Sequence, residues 1–136
     1  MNAEQKDPDC IFCKIINKEI PAKIVYEDDN YLAFLDVNPT HKGQTLVIPK
    51  KHYEYIFDMP EEETGELFKV SQRVGKAIDK ALKPVRTCIV VEGFLVPHVH
   101  VRLHPCYSQV LGFNSLTKPS DEELEETKNK IVNAME

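Results

Sequence analysis

Apolar positions follow two rhythms along this chain, and the changes of rhythm mark its elements. Ile24 to Glu27 and Tyr31 to Asp36 are short runs of β-branched and aromatic residues around Asp28-Asp29-Asn30, a pattern that predicts a β-hairpin. Asn38 to Gly43 reads as a loop, and Thr45 to Ile48 as a strand stopped by Pro49, because proline has no ladder donor. Near the start, Ile11 to Asn17 predicts a short helix with Ile11, Phe12, Ile15 and Ile16 on one face. The longest helical period runs over 59–83, where Leu67, Val70, Val74, Ala77, Ile78 and Ala81 share a face. Asp58 is placed to cap this helix, and Glu61 three residues later completes a capping-box pattern. The acidic run Glu61-Glu62-Glu63 suits the positive end of the helix dipole, and Pro84 closes the element. Thr87 to Val91 then predicts a buried strand and Leu95 to Leu103 another extended stretch. Residues 120–133 form an acidic helix starting at Ser120, with Leu124 and Ile131 as sparse apolar contacts. Helices do not alternate with strands, so the order favours an α+β fold on an antiparallel sheet over a doubly wound one.

Composition narrows the partners. The chain has 136 residues and is 42% hydrophobic, enough for one core in a single domain. Residues 10–136 are expected to form that domain, with 1–9 as a flexible tail. Seventeen basic against 22 acidic residues give a formal charge of −5, and without a basic block duplex DNA is not an expected partner. No apolar run reaches the roughly 18 residues of a membrane span. Met1 to Asp9 is polar and acidic, without the basic start and apolar stretch of a secretory signal. The expected setting is therefore the reducing cytoplasm, or also the nucleus, where the four cysteines (Cys10, Cys13, Cys88, Cys106) do not build a disulfide framework. An RNA surface made of Tyr26, Tyr31 and Phe34 is disfavoured by the charge and by their place in strand runs.

The chemistry concentrates in Pro97-His98-Val99-His100-Val101-Arg102-Leu103-His104-Pro105. In an extended chain side chains alternate, so His98, His100, Arg102 and His104 project to one side and Val99, Val101 and Leu103 into the core. Three of the five histidines fall within these seven residues. The row could be a solvated polar face, but imidazoles repel when charged and need partners when buried. It suits anion chemistry better: neutral imidazole is a nucleophile near neutral pH, and a guanidinium holds phosphate oxygens in a fork.

Cys10 and Cys13 have the C-x-x-C spacing that places two thiolates on one ion. His52 and His98 would complete a Cys2His2 zinc set, with His41 and His104 as competing ligands. A metal-free pair of core cysteines is the plainer alternative. A redox pair fits less well, since no strand precedes the motif. Cys88 is expected in the core, and Cys106 has no assigned partner.

These blocks together resemble the histidine triad (HIT) nucleotide hydrolases and transferases. The resemblance covers about residues 10–107: Cys10-Ile11-Phe12-Cys13, Ile20-Pro21, Val25 to Asp28, Ala33 to Asp36, Pro39, Gly43 to Lys50, His52, Pro97 to Arg102 and the Pro105/Tyr107 tail. It implies a HIT-like α+β roll, an antiparallel sheet with one main helix and a C-terminal helix, usually as a homodimer. It also implies a purine nucleotide ligand such as AMP, and reaction at the α-phosphate of a nucleoside phosphoramidate or dinucleoside polyphosphate. His100 matches the middle histidine, which attacks phosphorus to give a nucleotidyl-histidine. In relatives with the C-x-x-C, the positions of His52 and His98 ligate a structural zinc together with Cys10 and Cys13. Asp36 matches the carboxylate that accepts ribose hydroxyls, and Leu35 and Val37 would line the sugar and base pocket. The 61–83 helix and the 87–91 strand would form the dimer interface.

The chain departs from the family pattern at the third histidine, which is Arg102, and at a common histidine position, which is Gln44. Val91 replaces a common asparagine, and the Leu95-Val96-Pro97 stretch replaces the serine or threonine often found before the first histidine. Arg102 still binds phosphate but cannot give up a proton near neutral pH. Gln44 donates a hydrogen bond without charge. The sequence thus supports a catalytic set of His100, Arg102 and Gln44, and alternatively a zinc-stabilised nucleotide-binding protein with little turnover.

Overall fold

The computed structural model describes residues 7–113 and 117–136. The first six residues of the expected tail lie outside these. The remainder of that tail is tied down: Asp7 N–H donates to the Cys13 sulfur at 3.4 Å, and Cys10 N–H to the Asp7 carbonyl at 3.0 Å.

Helix α1 (Ile11–Ile16) is followed by strands β1 (Ile24–Glu27), β2 (Tyr31–Leu35) and β3 (Thr45–Pro49). Helix α2 (Glu61–Leu82) precedes β4 (Arg86–Val90) and β5 (Val101–Cys106), and α3 (Asp121–Ala134) ends the chain. The strands form one sheet in the order β1-β2-β3-β5-β4, every neighbouring pair antiparallel. The predicted hairpin is β1–β2. Its turn is held by Asp28, whose Oδ1 accepts from the N–H of both Asn30 and Tyr31 at 2.8 Å. Pro49 is the last residue of β3, where a missing N–H costs the ladder least.

Both faces of the sheet are covered, and strand alternation assigns residues between them. Tyr31, Ala33, Leu35, Val47, Val101 and Leu103 point into a core shared with Leu67, Val74 and Ile78 of α2 and Ile131 of α3. Leu32, Phe34, Leu46 and Ile48 point the other way, into a second cluster with Cys10, Phe12, Cys13, Ile15 and Ile16. The α1 segment is thereby pinned on the face that carries the histidine row.

Three expectations need correction. Asp58 does not cap α2: it lies in a 3₁₀ turn (Ile56–Asp58), and the N-cap is Pro60, whose side chain makes no capping bond. The acidic first turn Glu61 to Glu63 is as expected. The strand expected to be buried at 87–91 is the edge strand β4, paired only with β5 and with Ile89 half exposed. The extended stretch from Leu95 joins the ladder only at Val101, because β3 pairs no further than Val47 with Val101. Upstream, Val99 N–H donates instead to the Tyr53 carbonyl at 2.7 Å. The Ser120/Glu123 capping box starts α3 as its sequence implies.

Gly43 makes the turn into β3 with φ of 85°, and a Cβ there would run into the Leu82 side chain. Gly43→Ala is therefore expected to lower the unfolding free energy by about 1–3 kcal/mol, read as a lower urea midpoint with an unchanged slope.

Candidate active site and metal centre

The histidine row keeps its alternation although its first half precedes β5. Val99 and Val101 are buried in the helix-side core. His98 and His100 lie on the opposite side, where the Phe12 ring packs edge-on to both at centroid distances of 5.8 and 5.1 Å.

Cys10, Cys13, His52 and His98 converge. One ligand atom from each lies within 4.8 Å of all the others, and all four residues are buried. His98 Nδ1 is 3.4 Å from the Cys10 sulfur, 3.6 Å from that of Cys13 and 3.1 Å from His52 Nδ1. Local structure explains the approach. Cys10 is the N-cap of α1, its sulfur accepting the Cys13 N–H at 3.4 Å, so a single turn brings both sulfurs together. His98 Nε2–H donates to the Pro49 carbonyl at 2.8 Å, which fixes the tautomer and leaves the Nδ1 lone pair facing the sulfurs. Burial lowers the His98 pKa to about 4 and raises that of Cys13 to about 11. A buried neutral imidazole is ready to ligate, and a divalent cation supplies the charge that ionises a buried thiol. Two sulfurs and two imidazole nitrogens are a closed tetrahedral zinc donor set.

Two residues on, His100 Nδ1–H donates to the His98 carbonyl at 2.7 Å. A carbonyl only accepts, so this bond puts the proton on Nδ1 and leaves Nε2 with its lone pair. Burial lowers the His100 pKa, which keeps that nitrogen unprotonated at neutral pH. Beside it stands Glu92, with Oε1 3.7 Å from His100 Nε2 and accepting from Arg102 Nη1 at 3.2 Å. Arg102 also lies over the Phe113 ring, 5.4 Å from its centroid. Gln44 is buried and bridges two groups. Its Nε2 donates to Asp36 Oδ2 at 3.0 Å, and its Oε1 accepts from Thr40 N–H at 2.9 Å.

Leu35 belongs to the helix-side core, is 2% exposed and borders a cavity with Asp36 and Gln44, whereas Val37 is exposed. His41 and His104, the competing metal ligands, form a separate pair with their Nδ1 atoms 3.0 Å apart and are not in the Cys2His2 set. Phe113 packs edge-on to both rings. Cys88 is half-buried, and its sulfur lies 3.8 Å from that of Cys106, the partner that sequence left unassigned.

Glu92 escaped the sequence reading. No sequence signal placed it: the β4–β5 register, in which Cys88 pairs with His104 and Val90 with Arg102, carries the chain on to bring Glu92 near His100.

Four buried candidate metal ligands thus stand beside a tautomer-fixed imidazole and an Arg102–Glu92 ion pair on an antiparallel α+β roll. The HIT domain family model matches residues 17–109, and the chain belongs to the HIT family. It is 44% identical to an uncharacterised HIT-like protein of Methanocaldococcus jannaschii over 88% of this chain and 98% of that one. It is 42% identical to the adenosine 5′-monophosphoramidase of Saccharomyces cerevisiae over 73% of this chain and 63% of that one. Among solved structures, a zinc-bound histidine triad family protein from Mycobacterium smegmatis superposes with a TM-score of 0.77 at 30% identity, covering 93% of this chain and 92% of that one. HIT proteins are nucleotide-binding hydrolases. Among the described residues, no helix is long and apolar enough to cross a membrane.

His104 is completely buried, and burial brings its pKa down to about 4 from 6.5. Because the folded value is depressed, the unfolded chain binds the extra proton first. The stability contributed by the neutral ring is complete above pH 6.5 and is lost as pH falls towards 4. His104→Gln, which cannot titrate, is expected to flatten the fall in urea midpoint over this window relative to the parent protein.

Proposed function

We propose that this protein binds a purine nucleotide and cleaves a bond at its α-phosphorus through a nucleotidyl-His100 intermediate. The observation that carries the reading is the His100 Nδ1–H bond to the His98 carbonyl, which leaves Nε2 unprotonated beside the Arg102 guanidinium. In this scheme His100 Nε2 attacks phosphorus and a P–Nε2 bond forms. The bond to the leaving amine or phosphate breaks, and an amine takes its proton from solvent. Water then attacks phosphorus, the P–Nε2 bond breaks, the water proton passes to solvent, and the nucleoside monophosphate is released. Attack on phosphorus is chiefly a matter of placement and charge stabilisation. Arg102 holds phosphate oxygens in that role. Asp36 accepts ribose hydroxyls, and Gln44, hydrogen-bonded to it, orients its carboxylate. Val37 borders the base and sugar from the exposed side, while Leu35 backs them through the core. A nucleoside phosphoramidate or a dinucleoside polyphosphate satisfies this chemistry, and the likeness to an adenosine 5′-monophosphoramidase supports the first.

Cys10, Cys13, His52 and His98 would hold a structural zinc ion, whose chemistry is to cross-link α1, the segment after β3 and the start of the histidine row. A homodimer is part of this proposal, with α2 and the open edge of β4 at the interface, where Ile89 is exposed. We place it in the cytoplasm, with the nucleus as a second compartment. One observation favours a second reading as a nucleotide-binding protein with little turnover: Arg102 stands where a third histidine would donate a proton to the leaving group, and guanidinium keeps its protons.

The test is turnover of an adenosine phosphoramidate. His100→Ala is expected to lose roughly a thousandfold or more, and the nucleotidyl-protein trapped from the parent protein should vanish in the variant. Equal rates would remove the enzyme reading. Elemental analysis should find stoichiometric zinc, reduced by Cys13→Ser, and sedimentation at micromolar concentration should find a dimer.

A further inference from the structure

The carboxylate in front of the nucleophile is held there. Glu92 Oε1 faces His100 Nε2 and Arg102 Nη1, while Oε2 accepts the Phe94 N–H at 2.7 Å. Gly93, at φ of 79°, makes the turn that brings this N–H back to the side chain. Burial alone would raise the Glu92 pKa, but the Phe94 and Gly93 N–H groups and the Arg102 charge bring it below the ordinary value. The group is therefore an anion at neutral pH, fixed at both oxygens.

His100 also lines a cavity of 740 Å³ whose wall includes Tyr55, Phe57 and Phe68. Glu54, Glu61 and Glu92 supply carboxylates to the same wall, and none of its lining residues is Lys or Arg. Arg102, the guanidinium nearest this nucleophile candidate, is already paired with Glu92.

We propose that Glu92 is a specificity-determining residue that selects the leaving group by charge. It admits a substrate whose phosphorus carries an amine with an apolar or aromatic body, and it opposes one whose leaving group is a further phosphate. An amine departs neutral or cationic past the carboxylates, whereas a nucleoside polyphosphate brings several negative charges to within a few ångströms of a fixed anion. Like charges repel, and more strongly where water is partly excluded. The proposal rests on His100 as the nucleophile and goes beyond it in choosing between the two substrate classes.

The experiment compares kcat/KM for an adenosine phosphoramidate and for diadenosine triphosphate in the parent protein, Glu92→Gln and Glu92→Asp. Glu92→Gln is expected to shift selectivity towards the polyphosphate by about tenfold or more, and the shift should shrink at high salt. Glu92→Asp, which keeps the charge, should keep the parent preference. Calorimetry gives a readout independent of turnover: Glu92→Gln should strengthen ADP binding more than AMP binding and leave adenosine unchanged. A Glu92→Gln protein with normal zinc content that loses both substrates equally, and gains no affinity with ligand charge, overturns the charge filter and leaves the His100 reading standing. Parent-level turnover by His100→Ala, or no binding of any nucleotide, overturns both.

Discussion

Two imidazole–carbonyl hydrogen bonds in succession organise this site. The Pro49 carbonyl accepts His98 Nε2–H, and the His98 carbonyl accepts His100 Nδ1–H. Each bond decides which ring nitrogen keeps a lone pair, and the outcomes are opposite. His98 presents Nδ1 to the cysteines, while His100 presents Nε2 to the space beside Arg102. In the proposed function, metal ligand and nucleophile are thus set by two successive bonds of this kind, the first at the end of β3. A displacement of Pro49 would disturb the cluster and the reactive nitrogen together.

The pair of bonds is stiff because the sheet around it is buried on both faces. Every residue of β2 and β3 is buried, with one set of side chains against α2 and α3 and the other against α1. Burial of this depth disfavours charge on imidazole, and it lowers the pKa values of His41, His98, His100 and His104 alike. The row that would repel itself as four cationic side chains instead carries neutral rings with one guanidinium among them. The charge balance is then set by Asp36 and Glu92, one held by Gln44 and the other by Arg102.

The histidine triad pattern ordinarily places a third imidazole where this chain has Arg102. The structure gives the substituted residue a defined setting, between the Glu92 carboxylate and the Phe113 ring. A guanidinium held between an anion and an aromatic face keeps its charge and a fixed plane, properties suited to gripping phosphate oxygens and not to transferring protons.

The sequence by itself determined the elements and the faces. The period-two zigzag from His98 to His104 sorted imidazoles from valines, since alternation in an extended chain needs no partner to be true. The C-x-x-C spacing announced that two sulfurs would meet, because one helical turn from the Cys10 cap brings them together. The Asp58 cap failed because a side chain caps only if its own backbone stands at the helix threshold, and the 3₁₀ turn moved that threshold to Pro60. The run 87–91 read as a buried strand because its residue types say how well it pairs and not where in the sheet it lies. The resemblance had already paired His52 and His98 with the cysteines, and only the tertiary structure decided where the remaining histidines went. His41 and His104 were equally eligible by type, and the antiparallel register of β3, β4 and β5 sent them to each other and set Glu92 before His100. Choices of that kind depend on which distant segments share a face, and spacing along a chain fixes only near neighbours.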